Sequence, residues 1–160
     1  MGDESQSQLP VADGAGLAAA FALGASAILL GTRFLAADEA PIDEHWRDAV
    51  LASDGHDTVV TTIADMYTGR DWPGARARIR RTRFVEEWLG REPELRRLRA
   101  DVRERLIRAD EAGDADYAII WLGQSAGLID SVMPAANIVR SIVEDAEELL
   151  RTTLPSLVVR

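Results

Sequence analysis

The segment "SAILLGTRFLA", residues 26–36, decides which fold the chain is predicted to adopt. Four apolar residues, 27–30, run directly into Gly31 and Thr32. A short apolar run without polar alternation is typical of a strand that is buried on both faces, as in a parallel sheet covered by helices. We therefore predict a buried strand over residues 27–31 that ends in a glycine and a hydroxyl side chain.

The residues before this strand predict a helix. Asp13 is a suitable N-cap, the helix is expected over about 14–24, and Gly24 is a suitable end. Helical spacing places Leu17, Ala20, Phe21 and Gly24 on one inward face. Helix, turn and buried strand together make the αβ half of a βαβ unit. The polar stretch "MGDESQSQLP", residues 1–10, is predicted to be a flexible tail.

Beyond residue 37, almost all of the chain is predicted to be helix or loop. An extended segment is expected over 57–63, a helix from about 82, a long helix over 93–112, and a terminal helix over 134–152 that ends at Leu154-Pro155. The long helix carries a narrow apolar stripe, Leu95, Leu98, Val102 and Leu106. We predict core packing for this stripe, and the alternative is an interface with a partner helix. Residues 11–160 thus resemble the last part of a larger α/β fold, with 38–133 as an insertion or extension.

Composition excludes several classes of function. The 160 residues include eighteen arginines, no lysine and no cysteine, with a formal net charge of −9. Such a charge disfavours nucleic-acid binding, and we expect the arginine-rich segment 76–83 to pair with the protein's own carboxylates. Without cysteine, no disulfide or thiol nucleophile is possible. The uncharged stretch 14–32 is rich in alanine and glycine and follows an acidic flank, so we expect a cytoplasmic protein with no membrane span.

The end of the predicted strand has the chemistry of an anion site. A chain that leaves a strand through Gly31-Thr32 exposes backbone N–H groups and one hydroxyl, and several N–H donors can converge on one phosphate. In (β/α)8 barrels, phosphate sites commonly follow strands seven and eight. The alternative is a simple tight turn, which the two residues alone do not exclude.

Two other sets of residues have patterns that are associated with catalysis or metal binding. The segment Gly123–Gly127 fits G-x-S-x-G, the pattern of a serine nucleophile elbow. In that fold the histidine base follows the serine, but His45 and His56 both precede Ser125, so we favour a glycine-rich turn. The two histidines lack partners at metal-ligand spacing, and we predict no metal site.

Residues 12–36 closely resemble the late-barrel signature of the nitronate monooxygenase family, formerly called 2-nitropropane dioxygenases. The matching parts are the turn Ala12-Asp13-Gly14-Ala15-Gly16, an alanine-rich helix, and the strand end Gly31-Thr32-Arg33-Phe34. Looser matches are Glu39, His45, the basic segment from Gly69-Arg70 to Arg83-Phe84, and the stretch Gly123–Ile129. The resemblance covers about residues 11–152.

This resemblance implies the C-terminal portion of an FMN-binding (β/α)8 TIM barrel with a mostly helical extension. Leu29, Leu30, Gly31 and Thr32 would line the FMN phosphate, while Gln124 and Ser125 would approach the flavin. The implied reaction oxidises alkyl nitronates with O2 to a carbonyl compound and nitrite. The family's catalytic histidine lies in earlier strands, so no catalytic residue is assigned to this chain.

The chain also departs from the family pattern. Leu9 and Pro10 stand where the family has two glycines before the turn, and proline offers no N–H group. Because the six earlier strands are absent as well, we expect the isolated chain to bind FMN weakly or not at all. We expect a missing N-terminal part or a homo-oligomer to complete it. The alternatives are a non-catalytic remnant, a helical interaction module, or a relative of FMN-dependent enoyl reductases.

Overall fold

The computed structural model describes residues 10–69 and 72–157. Two short strands, β1 (Thr58–Thr61) and β2 (Ala77–Arg80), accompany a series of helices. The helices are α1 (Gly14–Ala22), α2 (Thr32–Leu35), α3 (Glu44–Leu51), α4 (Asp65–Thr68), α5 (Arg83–Trp88), α6 (Glu92–Arg97), α7 (Arg99–Glu111), α8 (Ala135–Glu148) and α9 (Leu154–Leu157). Single turns of 3-10 helix lie at Ala115–Tyr117 and Gln124–Leu128, and a π-helical turn, Leu149–Thr153, joins α8 to α9. The predicted tail, apart from Pro10, falls outside the described residues.

The predicted helix after Asp13 is confirmed, and it packs on α8. The Asp13 carboxylate accepts a hydrogen bond from the Gly16 N–H at 2.8 Å, and Gly24 has a φ of +92° just beyond the helix. At Gly14 the two backbones approach so closely that an added Cβ would lie 2.7 Å from the Ala146 nitrogen. This contact turns Leu17 inward but leaves Phe21 42% exposed, so the prediction that Phe21 faces the core is wrong.

The predicted strand over 27–31 requires a correction. Residues 27–30 form neither helix nor strand, and they pair with no strand in the described part of the chain. Their exposure alternates between exposed and half-buried, as it does in an extended segment. Ile28 and Leu30 pack against a cluster formed mainly by α1 and α8, whereas Leu29 is 97% exposed. One face is therefore covered by helices, and the opposite face and both edges meet no described element. Burial on both faces fails because the neighbouring strands that would provide it are absent from the described residues.

The predicted extended segment over 57–63 is confirmed as β1, and β2 was not foreseen. The strands pair antiparallel, with Thr58 opposite Arg80 and Thr61 opposite Ala77. The sequence has no apolar run that would predict β2, because arginine occupies every second position and only Ile79 of the strand is fully buried. Arginines of this segment pair with carboxylates as expected, Arg80 with Asp57 and Arg81 with Glu86, each at 2.8 Å.

The predicted long helix over 93–112 is interrupted at Leu98, where α6 ends and α7 begins. Three residues of its apolar stripe, Leu95, Val102 and Leu106, are buried in the largest hydrophobic cluster, but Leu98 is 44% exposed. Core packing is thus confirmed for the three. The terminal helix continues through Leu154-Pro155 to Leu157 rather than ending there. The Leu154 N–H donates across the π-helical turn to the Leu149 carbonyl, and Pro155, which has no N–H group, follows directly.

Candidate functional site

The turn at Gly31 and Thr32 carries a cluster of backbone hydrogen-bond donors. It connects the extended segment 27–30 to α2, with Gly31 at the N-cap position and no side chain capping the helix. The first N–H groups of a helix have no acceptor within the helix. Among the described residues, no backbone oxygen accepts from the N–H groups of Gly31, Thr32 or Arg33. These N–H groups suit a negatively charged ligand.

Gly31 is a glycine that the folded chain does not require. Its φ is −111°, a value open to every L-residue, so no left-handed conformation demands glycine here. An added Cβ would meet no heavy atom within 4 Å, so no close packing demands it either. The absent side chain keeps space open beside the donor cluster.

The structure brings the other predicted site segment to this turn. The Gly123 N–H donates to Thr32 Oγ1 at 2.8 Å, joining residues 91 positions apart in the chain. Gln124 follows on the exposed side of the 3-10 turn, and Ser125 is 9% exposed. Thr32, Gln124 and Ser125 therefore belong to one region. Leu30 is half-buried beside it, while Leu29 extends into solvent.

Arg33, the residue next to the turn, has a structural role in this arrangement. Its side chain is only 6% exposed, and Nη1 donates to the Ser131 carbonyl at 3.1 Å. Burial lowers the pKa of Arg33, and the nearby Asp130 carboxylate opposes that shift. The guanidinium thus ties α2 to the segment before α8. A second tie comes from Glu39, whose carboxylate accepts from the Ala135 N–H at 2.8 Å at the start of α8.

A loop that sequence reasoning missed, residues 53–58, lies against the glycine-rich turn. Gly55 has a φ of +78°, and its added Cβ would lie 3.1 Å from the Gln124 carbonyl carbon. An added Cβ on Gly127 would lie 2.7 Å from the Asp54 carbonyl carbon. Glycine in both segments was the available signal, but it did not show that the two segments touch.

Asp54 closes this loop, and its hydrogen bonds make the stability of the fold depend on pH. Its Oδ1 accepts from the N–H groups of His56 at 2.8 Å and Asp57 at 3.2 Å, and these bonds lower its pKa. A lowered pKa in the folded state stabilises the fold above the ordinary aspartate pKa of about 4, and this contribution is lost as pH falls through the lowered value.

We expect Asp54→Ala to reduce the free energy of unfolding at neutral pH, and the difference from the parent chain to shrink below about pH 4. Urea unfolding of both chains at about pH 7, pH 5 and pH 3 measures it. Asp54→Asn is the matched control, because it keeps the Oδ1 acceptor but does not titrate. A difference that stays constant down to about pH 3 would contradict the assignment.

The described residues form neither a metal site nor a membrane-spanning helix. His45 Nε2 lies 3.5 Å from Asp110 Oδ1, and no group of three His, Asp or Glu side chains within residues 10–69 and 72–157 could hold a metal ion. Within the same ranges, no helix combines the length and the apolar character that crossing a bilayer would require.

Comparison with known proteins identifies the relatives of the chain. The family described as nitronate monooxygenase matches residues 11–145. A nitronate monooxygenase of Neurospora crassa is 31% identical over 153 residues, covering 88% of this chain and 37% of that protein. One from Paraburkholderia phytofirmans is 35% identical over 139 residues, covering 86% of this chain and 36% of that protein. The chain thus spans well under half the length of these relatives.

Two solved structures share this fold. FabK from Thermotoga maritima is 34% identical with a TM-score of 0.74, covering 92% of this chain and 45% of FabK. A nitroalkane oxidase from Streptomyces ansochromogenes is 29% identical with a TM-score of 0.69, covering 91% of this chain and 39% of that enzyme.

Proposed function

This chain belongs to the nitronate monooxygenase family, and from that membership we propose that it supplies the phosphate-binding part of an FMN-dependent oxidoreductase. The observation that carries the proposal is the turn at Gly31. There, a glycine that the fold does not require lies beside backbone N–H groups with no acceptor among the described residues. A simple tight turn has no need of this combination, whereas a phosphate does.

The extended segment 27–30 supports a place at the wall of a (β/α)8 barrel. Ile28 and Leu30 face the helical layer, and Leu29 between them points the other way. This alternation is expected of a barrel strand, since successive side chains face the outer helices and the barrel interior. We infer that the segment is a late strand of a TIM barrel and that helices α1 and α8 belong to its outer ring.

Each candidate residue has a role in this proposal. The N–H groups of Gly31 and Thr32 donate to the phosphate, and the Thr32 hydroxyl adds a further bond. On the strand side, the exposed side chain of Leu29 and the backbone of Leu30 line the approach. Gln124 and Ser125 follow the contact of Gly123 with Thr32, and the proposal assigns them to the flavin.

When bound, FMN would supply the electron-accepting chemistry that oxidises an alkyl nitronate with O2 to a carbonyl compound and nitrite. The described residues contribute binding and orientation to this reaction. Residues 27–32 contain no charged side chain, so no carboxylate within this stretch competes with the phosphate for the N–H donors. No catalytic acid or base is proposed on this chain.

A titration followed by NMR tests the proposal on the chain itself. We expect FMN to shift the amide signals of Gly31, Thr32 and Arg33, inorganic phosphate to shift the same signals weakly, and riboflavin, which lacks the phosphate, to leave them unchanged. Because the chain provides only part of the site, we expect a Kd of about 1 mM or weaker and no flavin absorbance after desalting.

The same titration separates the alternatives. Equal responses to FMN and riboflavin would contradict phosphate recognition at this turn. The absence of any response would favour a non-catalytic remnant. A chain that retains stoichiometric flavin after desalting and consumes oxygen with a nitronate would contradict the expectation of weak binding.

A further inference from the structure

We propose that the glycine-rich turn Gly123–Gly127 fixes the Thr32 hydroxyl as a hydrogen-bond donor toward the phosphate, which makes Gly123 and Gly127 positioning residues. The inference rests on the proposed function. The contact between Thr32 and Gly123 then has a role in binding the phosphate, and the loop 53–58 supports that contact through the turn.

The Thr32 hydroxyl can act as a hydrogen-bond donor and as an acceptor. A threonine hydroxyl carries one donor proton and two acceptor lone pairs, and it rotates to suit its partners. The Gly123 N–H already donates to Thr32 Oγ1 at 2.8 Å, so the hydroxyl acts as an acceptor on that side. In the described part of the chain, no acceptor takes the Thr32 proton. The proton therefore remains available to an acceptor, and a phosphate oxygen is an acceptor of the kind that the proposed function places here.

Gly123 approaches Thr32 closely. An added Cβ on Gly123 would lie 3.1 Å from Thr32 Oγ1, which is tighter than an ordinary van der Waals contact. The turn itself is closed by the Ala126 N–H donating to the Gly123 carbonyl at 3.0 Å, and Ala126 is fully buried. The position of the Gly123 amide is therefore set by the packing of the whole turn.

The turn Gly123–Gly127 packs tightly against the loop 53–58. Gly127 meets the Asp54 backbone, and Gly55 meets the Gln124 backbone, in both cases with no space for a Cβ. The contacts involve backbone on both sides, so neither segment yields by rotating a side chain. Because of this interlock, a displacement of Gly127 is transmitted to Gly123.

Hydrogen bonds and an ion pair hold the loop 53–58, which supports the turn. The Gly55 N–H donates to Ser53 Oγ at 3.2 Å, and Thr58 Oγ1 donates to the Gly55 carbonyl at 3.1 Å. Asp57 accepts from Ser53 and pairs with Arg80 of β2. The support thus extends from the β1–β2 pair through the loop and the turn to Thr32.

The test compares four variants of the full chain. Thr32→Val removes the hydroxyl at nearly constant shape, Thr32→Ser retains it, and Gly127→Ala disturbs the turn without touching Thr32. Gly14→Ala is the matched control, since it also forces a Cβ against backbone but at the contact of α1 with α8. Two quantities are measured by NMR. One is the exchange rate of the Gly123 amide. The other is the FMN preference, which is the shift of the Gly31 amide caused by FMN minus the shift caused by riboflavin at the same concentration.

We expect Thr32→Val and Gly127→Ala to speed exchange of the Gly123 amide about tenfold and to lower the FMN preference about tenfold, as the loss of one hydrogen bond to an anion implies. Thr32→Ser should change neither quantity. Gly14→Ala should leave the FMN preference unchanged and should speed Gly123 exchange no more than its loss of unfolding free energy, measured by urea unfolding, accounts for. A change in global stability alone would not alter the preference for a phosphate, so the FMN preference reports positioning.

Two results would overturn the inference: Gly127→Ala with unchanged Gly123 exchange, or Thr32→Val with an undiminished FMN preference. A different result would concern the proposed function alone. If Thr32→Val and Gly127→Ala both speed Gly123 exchange but the parent chain responds to neither FMN nor phosphate, the positioning contact is supported and the cofactor assignment is contradicted.

Discussion

Gly31→Ala is expected to weaken the FMN response of the chain at least tenfold while changing the free energy of unfolding by no more than about 0.5 kcal/mol. The φ of −111° accepts alanine, and its methyl group would meet nothing within 4 Å in the folded chain. The methyl group would, however, occupy space beside the N–H groups that are proposed to hold the phosphate. Loss of binding without loss of stability is the signature of a residue kept for a ligand.

Two measurements check this prediction: urea unfolding for stability and the FMN titration for binding. Ser26→Ala is the control, because Ser26 is exposed and lies five positions before the turn. It should leave both quantities unchanged. If Gly31→Ala binds FMN as the parent chain does, the phosphate does not lie at this turn.

The second large effect is expected at the contact between α1 and α8. Gly14→Val should lower the free energy of unfolding by about 3 kcal/mol, and Gly14→Ala by about half as much, because overpacking at a backbone contact forces the two helices apart. An added Cβ would lie 2.7 Å from the Ala146 nitrogen and also against the Asp145 side chain, so no rotamer change relieves it.

Denaturation in urea followed by circular dichroism measures this loss. Ala15→Val places the same branched side chain one residue later in α1, where the position is exposed. It should cost less than about 0.7 kcal/mol, the difference in helix propensity. Equal losses for the two variants would show that helix propensity, rather than the contact with α8, governs this region.

Local signals in the sequence predicted the helices better than the strands. Asp13 and Gly24 mark the ends of α1 through capping and a positive φ, both of which depend only on neighbouring residues. The burial of residues 27–31 depended on elements elsewhere in space, and Leu29 shows that no described element covers it. The break at Leu98 likewise reflects how α6 and α7 pack, which periodicity along a single helix does not show.

The candidate site was predictable in its parts but not in its assembly. The Gly31-Thr32 pair indicated an anion site because a chain that leaves an apolar run through these residues exposes backbone N–H groups and a hydroxyl. The resemblance to the family added Gln124 and Ser125. The bond between Gly123 and Thr32 spans 91 positions, and the support from Asp54 and Gly55 involves a third segment, so only the folded chain shows them.

The extended segment 27–30 has a consequence for the behaviour of the chain at high concentration. Neither edge of this segment has a strand partner among the described residues, so a molecule can accept a neighbour on either side, and such contacts repeat without closing into a ring. Self-association should therefore follow open-ended polymer growth, with light scattering that rises steadily with concentration instead of levelling at a dimer. A lysine in place of Leu29, the most exposed apolar residue of the segment, should suppress that growth.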